Sequence, residues 1–241
     1  MTAITGISSM ATRQLLAELG AAYAQRSGVP VVIEAVGGVD AARRVQAGEV
    51  FDVVVLASDA LERLLASGHL LPGSRVDLVH SPVAIAVRAG APHPRVDSED
   101  ALRQALLAAR SISYSTGPSG NHLGKLFERW GLSEQLKDKT VLAPPGVPVG
   151  SLVARGEVEL GFQQLSELMH LEGIEVVGTL PAAVQYITTF SAAVGAASAQ
   201  ADAVRALLDF MASPQASDAK RRQGMTPAGT ATDTVRGDRQ A

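Results

Sequence analysis

Three short stretches of small polar residues have the composition of an anion-binding site. They are Gly6-Ile7-Ser8-Ser9, Val36-Gly37-Gly38 and Ser115-Thr116-Gly117-Pro118-Ser119-Gly120-Asn121, and each separates a strand-like run from a helix-like run. A helix that begins at such a stretch directs unpaired backbone N–H groups and a partial positive charge at a bound anion. A serine cap and a glycine turn would explain any one stretch alone. Three of them in one chain favour a common site for a small anion.

Two other polar stretches accompany apolar runs. Gln163-Gln164 ends one strand-like run, and polar residues alternate with apolar ones from Gln185 to Phe190. Buried amides are stable only when they are hydrogen-bonded, so contact with a ligand is one interpretation of the glutamine pair. Backbone partners are an equally good interpretation of that pair. The usual alternation of a half-exposed strand explains most of the second stretch.

The composition limits the classes of partner. The 241 residues carry a formal net charge of −3 and are 46% hydrophobic and 19% charged, which is typical of a folded globular protein and argues against a nucleic-acid partner. Cysteine is absent and the five histidines lack the spacing of a zinc pair, so no metal or other cofactor is expected. The longest apolar runs are too short for membrane insertion.

The order of strand-like and helix-like runs predicts an α/β protein with two lobes. Strands and helices alternate up to Val53-Val54-Val55-Leu56-Ala57, a β-branched run typical of a strand buried in a parallel sheet. A further strand is expected from Pro82 to Val87, and the loop rich in proline and glycine after it marks a change of lobe. We therefore expect lobe I to contain residues 1–81 and 190–241, lobe II to contain residues 82–189, and a ligand cleft to lie between them.

The order of these motifs resembles the type 2 periplasmic-binding-protein fold and, within it, the molybdate-binding-protein-like family. The resemblance covers nearly the whole chain and implies mixed, mainly parallel sheets with helices on both faces. It rests on Ser8-Ser9, on Ala41 to Gly48 with Phe51 to Val55, on Gly117-Pro118-Ser119-Gly120, on Leu142-Ala143-Pro144, and on Gly161-Phe162 leading into Ser166-Glu167.

The chain departs from the molybdate-binding pattern at two positions. Where molybdate binders of this family have a serine and a tyrosine, this chain has Gly38 and Gln164. The change implies a larger, planar ligand with several carboxylates. The contacts that the resemblance and the polar stretches together imply are Ser8, Ser9, Gly37, Gly38, Ala57, Gly117, Ser119, Gly120, Pro148, Gln163, Gln164, Gln185 and Thr189.

The family also includes an aconitate isomerase, and the resemblance implies the same activity here. Interconversion of trans- and cis-aconitate can proceed as an allylic 1,3-proton shift, which requires a base and donors that stabilise an enolate-like anion. His122 is the expected base because an imidazole exchanges protons near neutral pH, with Ser119 as its catalytic neighbour. A capping or surface role for His122 is equally open, and Arg13 and Lys125 are candidate counter-charges.

A second class of function fits the same motifs. The alternative is a non-catalytic substrate-binding protein of an ABC transporter for molybdate-like oxyanions or organic acids, because fold alone does not separate the two. The expected partner in either case is a small anion, a carboxylate in the first, and the protein is expected to be a monomer. The expected location is periplasmic if Met1 replaces a removed signal peptide, and cytoplasmic otherwise.

Overall fold

The computed structural model describes residues 2–144 and 146–229. The strands are β1 (Ile4–Ser9), β2 (Val31–Val36), β3 (Val53–Ala57), β4 (Val76–Arg88), β5 (Ile112–Tyr114), β6 (Leu160–Gln164), β7 (Ile174–Thr179), β8 (Ile187–Val194) and β9 (Thr226–Pro227). The helices are α1 (Arg13–Ser27), α2 (Gly38–Gln46), α3 (Ser58–Ala66), α4 (Glu99–Ala108), α5 (Pro118–Arg129), α6 (Ser133–Lys137), α7 (Val149–Ala154), α8 (Leu165–Leu168), α9 (Ala201–Ala212) and α10 (Ser217–Arg222). Short 3₁₀ turns span Met10–Thr12, Ala182–Val184 and Pro214–Ala216.

The strands form a mixed sheet in the order β2-β1-β3-β8-β4-β6-β5, with β7 and β9 also pairing with β4. The predicted α/β fold is confirmed, but the expectation of mainly parallel sheets is wrong. Among the described strands only β1–β2, β1–β3 and β5–β6 pair in parallel, and the pairings made by β4 and β8 are antiparallel. The parallel pairs come from strand-helix-strand units, whereas β4 and β8 link distant parts of the chain.

Strand β4 joins the two halves of the sheet. Its residues 76–82 pair with β8, and its residues 83–88 pair with β6 and β7. The predicted strand began at Pro82, but the observed one begins six residues earlier, at Val76. Pro82 lies where the strand exchanges one set of partners for the other, a position at which a missing N–H is tolerated. The predicted division into lobes places its boundary at this point, and it stays a prediction.

Each half of the sheet has its own core. One cluster packs α1 and α9 onto β3 and β8, and a second packs α2 and α3 onto the opposite face of the same strands. A third cluster packs α4 and α5 onto β4 and β6, and smaller ones lie beneath α7 and α8. Helices therefore cover both faces of each half, and no helix among the described residues is long and apolar enough to span a bilayer.

Gly120 fixes the start of α5. A Cβ at this position would lie 1.6 Å from the carbonyl oxygen of Ser115, whereas a Cβ on Gly124, one turn later, would meet nothing within 4 Å. The close approach of backbone to backbone at Gly120 brings the 115–117 segment over the first helical turn. No flexible side chain is available there to move aside.

We therefore expect Gly120→Ala to destabilise the protein and Gly124→Ala to leave it unchanged or stabilise it. Alanine stabilises a helix interior by roughly 0.5–1 kcal/mol relative to glycine, so the second variant is a matched control for the first. Thermal unfolding of both variants checks this. A Gly120→Ala midpoint equal to that of Gly124→Ala would contradict it.

Candidate functional site

The first two predicted stretches, Gly6-Ile7-Ser8-Ser9 and Val36-Gly37-Gly38, lie side by side at the carboxyl edge of β1, β2 and β3. Ser9 pairs in register with Val36, and Ser8 pairs with Val55 on the other side. A Cβ on Gly38 would lie 3.6 Å from Ser9 Oγ. The Ser8-Ser9 and Gly37-Gly38 stretches therefore lie side by side in the fold.

Both serines of the first stretch have partners within the fold. The Ser8 hydroxyl is fully buried and donates to the Glu34 carbonyl over 3.4 Å. Ser9 Oγ accepts from the Ala11 N–H, also at 3.4 Å, and so caps the 3₁₀ turn Met10–Thr12. Both bonds are long, which leaves the hydroxyls able to exchange them for stronger acceptors or donors.

The third stretch forms the N-terminus of α5. Gly117 is the N-cap, and no side chain caps the helix there. Ser119, in the first turn, is buried and lies 3.3 Å from Ser115 through their hydroxyl oxygens. The first N–H groups of a twelve-residue helix are thus grouped with two hydroxyls, an arrangement suited to an anionic oxygen.

His122 is held on two sides in the second turn of α5. Its Nε2 lies 3.0 Å from the Val184 carbonyl, and its ring stacks on Tyr186 with a centroid distance of 4.9 Å. A carbonyl only accepts, so Nε2 carries a hydrogen and Nδ1 is the basic atom of the neutral ring. The imidazole is therefore fixed in one tautomer rather than mobile at the surface.

The amides of Gln163 and Gln164 are both buried, on opposite faces of β6. Gln163 Oε1 accepts from the Gly150 N–H in the first turn of α7 at 3.3 Å, and its Nε2 donates to Glu167 at 2.8 Å. Gln164 donates to Thr188 Oγ1 at 2.8 Å. Among the described residues, Gln164 Oε1 has no hydrogen-bond partner, which makes this amide the better candidate for a ligand contact.

The remaining predicted contacts differ in whether their polar groups already have hydrogen-bond partners within the fold. The Gln185 amide is committed to backbone groups of Val83, Leu180 and Tyr186, at 2.9 to 3.2 Å. Thr189 Oγ1 bonds His80 Nδ1 at 2.9 Å. Ala57 and Pro148 are the N-caps of α3 and α7 and contribute only backbone.

The structure places Arg13 and Lys125 at exposed positions, so their proposed role as counter-charges is not supported by burial. A different cation is buried. Lys220, in α10, is 1% exposed, and burial lowers the pKa of its amine to about 8. Helix α10 has only six residues, too few for the sequence pattern to show which of its positions is buried.

Sequence reasoning also missed a carboxyl group beside the glutamines. Glu167, in α8, is half-buried, and burial raises the pKa of its carboxyl from the usual 4.5 to about 7, against the opposing effect of the Gln163 hydrogen bond. The neighbouring Ser166 hydroxyl donates to the Ala11 carbonyl at 2.8 Å, so α8 contacts the segment that follows Ser8-Ser9. The Ser166-Glu167 motif was the only signal in the sequence, and it carried no indication of burial.

The raised pKa of Glu167 makes stability depend on pH. A carboxyl whose pKa is higher in the folded than in the unfolded state stabilises the fold fully below the unfolded value, and this contribution is lost as the pH rises through the folded value. Glu167→Gln removes the titration. We expect the melting temperature of the variant relative to the native chain to rise between about pH 4.5 and pH 7. A difference that stays constant over this range would contradict the assignment.

Comparison with known proteins places this chain in a family. The family model described as a bacterial extracellular solute-binding protein matches residues 4–226. A protein named aconitate isomerase from Pseudomonas sp. is 40% identical over 233 residues, which are 94% of this chain and 88% of that protein.

Solved structures share the fold at lower identity. The periplasmic molybdate-binding protein of Azotobacter vinelandii superposes with a TM-score of 0.77 at 21% identity. The match covers 92% of this chain and 98% of the molybdate-binding protein. The sulfate-binding protein SubI of Mycobacterium tuberculosis superposes with a TM-score of 0.77 at 19% identity. The match covers 94% of this chain and 87% of SubI. The resemblance inferred from the motifs is confirmed: the chain belongs to the bacterial extracellular solute-binding protein family and has the periplasmic-binding-protein-like fold.

Proposed function

We propose that this protein is an aconitate isomerase, which interconverts trans- and cis-aconitate. The observation that carries the proposal is the similarity to the Pseudomonas isomerase, which is 40% identical and covers 94% of this chain. Similarity to solved binding proteins below 25% identity supports the fold alone. The substrate is taken from the isomerase and from the polar chemistry of the site.

The reaction proposed is an allylic 1,3-proton shift. A proton leaves the methylene carbon of aconitate, and its electron pair spreads over the three-carbon frame and into a terminal carboxylate. A proton then returns to the carbon at the other end of the frame. Carbon–carbon bonds can rotate in the delocalised anion more easily than in the alkene, so the product can have the opposite geometry. The shift is proposed to need no cofactor.

The site supplies donors for a ligand with several carboxylates. The start of α5 offers backbone N–H groups with Ser119. Gln164 Nε2 donates one N–H to Thr188 and has a second for a carboxylate oxygen, whereas its unpartnered Oε1 can accept only from a protonated group. Ser8, Ser9 and the backbone at Gly37 and Gly38 are proposed to hold a second carboxylate. Donors fixed in place before the reaction stabilise charge that develops in the transition state without reorganising.

His122 and Ser119 are proposed as catalytic residues. The Nε2 contact with Val184 orients the imidazole, and Nδ1 is then the atom available for proton transfer or for stabilising the anion. Ser119 lies one helical turn nearer the N-terminus of α5 and bonds Ser115. The two residues are therefore positioned by the same helix.

The wider setting is also part of the proposal. The cleft is proposed to lie between lobe I (residues 1–81 and 190–241) and lobe II (residues 82–189), of which 1, 145 and 230–241 lie outside the described residues. The exchange of strand partners at Pro82 supports this division. The protein is proposed to act as a monomer in the periplasm, in keeping with the extracellular family to which it belongs.

Incubation of the purified protein with trans-aconitate should produce cis-aconitate, and the reverse reaction should reach the same equilibrium mixture. Separation of the two isomers by chromatography measures both rates. A chain that leaves both isomers unchanged but binds molybdate or tungstate tightly would support the alternative of a binding protein for a transporter, and would contradict the proposal.

His122→Ala should lower kcat by at least about tenfold, because general acid–base groups and fixed donors typically contribute a hundredfold or more. Binding of trans-aconitate, measured by calorimetry, should change much less. His93→Ala is the control, since His93 is exposed and pairs with Glu175. Equal kcat values for the two variants would remove His122 from the catalytic residues.

A further inference from the structure

Glu167 combines enclosure by protein with access to solvent. It is half-buried, yet its surroundings make ionisation of the carboxyl costly. Most half-buried carboxylates lie at the surface, where water on one side removes that cost. A carboxyl that solvent can reach but that apolar protein groups largely surround is typical of a recess in the protein. Ligands also bind in such recesses.

The position of Glu167 in the fold agrees with such a recess. It lies in α8, directly after the carboxyl end of β6, and ligands of open α/β sheets bind beyond the carboxyl ends of strands. The Gln163 amide links it to the start of α7. The Ser166 hydroxyl, beside it, reaches Ala11, which follows the predicted Ser8-Ser9 contact. Glu167 therefore lies where elements from both halves of the sheet meet.

No charged neighbour in the described part of the chain explains the raised pKa of this carboxyl. Helix α8 packs on β4, β6, β7 and the 3₁₀ turn Met10–Thr12, and the last of these carries no ionisable side chain, nor does β6. The ionisable side chains on the other two strands are Asp77, His80, Arg88 and Glu175. None of them contributes to the pKa of Glu167, whose causes are burial and the Gln163 hydrogen bond.

We propose that Glu167 is the residue that removes the allylic proton of the substrate and returns it. This inference rests on the proposed isomerase function. The carboxylate takes the proton from the methylene carbon, which leaves the electron pair in the allylic anion, and becomes a neutral acid. The neutral acid then delivers the same proton to the carbon at the other end of the frame. Glu167 ends the cycle as a carboxylate, so no proton is gained or lost.

This assignment divides the catalytic work between α8 and α5. Carbon acids are weak, and a base that releases and accepts protons near the working pH is the most effective. Glu167 has that property, and within residues 2–144 and 146–229 no cation donates a hydrogen bond that would hold it ionised. His122, whose Nε2 is engaged by Val184 and whose ring face is covered by Tyr186, is then better suited to stabilise the anion.

The test is the Glu167→Gln variant. Its carbonyl oxygen can still accept the Gln163 hydrogen bond, so the contact with α7 is kept while the base is lost. We expect kcat to fall by about 100-fold or more, with calorimetric binding of trans-aconitate changed by less than about fivefold. Glu172→Gln is the matched control, because Glu172 is exposed and lies on the loop just after α8.

A pH profile separates a catalytic from a merely structural role. In the native chain, kcat/KM should rise with pH through about 7, as Glu167 loses its proton, and the residual rate of Glu167→Gln should lack this limb. Glu167→Asp should recover part of the rate, since it restores a carboxylate at a shorter reach. Turnover of Glu167→Gln within threefold of native, or an unchanged limb in that variant, would overturn the inference.

The outcomes also distinguish this inference from the proposed function. If the native chain does not convert either isomer, the isomerase proposal is contradicted, and the role of Glu167 that rests on it is contradicted with it. If the native chain converts aconitate and Glu167→Gln does so equally well, the function stands and the role of Glu167 is wrong.

Discussion

The double pairing of β4 is the constraint on which the rest of the structure depends. One continuous strand contributes to both halves of the sheet, with Pro82 at the exchange of partners. Because β1 and β3 end on one side of this strand and β5 and β6 end on the other, their carboxyl ends face a common region. The helices that start there bring their N-terminal N–H groups with them. A region rich in backbone N–H donors follows from these strand pairings.

A binding protein and an isomerase differ little in these donors. Both need fixed N–H groups, hydroxyls and amides that replace the hydration of an anion. What an isomerase adds is a group that can take a proton from carbon and release it again. Among the described residues, Glu167 differs from the ion-paired carboxyls because burial raises its pKa and no ion pair opposes that effect. Other carboxylates, such as Glu34 and Glu49 around Arg44, are exposed and paired. Under the proposed isomerase function, this contrast marks Glu167 as the group that would move the proton.

The sequence predicted the features that depend on neighbours in the chain. The β-branched run Val53–Ala57 is β3 as expected, and the small-residue stretches do lie between strands and helices. It could not predict features that depend on distant partners. Strand β4 begins before Pro82 because polar side chains such as Asp77 find partners such as Ser191, far along the chain. Gln185 is satisfied by the backbone at Val83, 102 residues away. The pKa of Glu167 and the burial of Lys220 arise only when the helices have packed.

In the proposed mechanism an aconitate carboxylate lies against the N-terminus of α5, and the reacting carbons lie beside Glu167. A crystal structure of Glu167→Gln grown with trans-aconitate tests this most directly, because the variant should bind substrate without converting it. We expect ligand density with one carboxylate about 3 Å from the first N–H groups of α5 and the methylene carbon next to residue 167. Substrate bound away from these two elements, under conditions where calorimetry shows saturation, would contradict it.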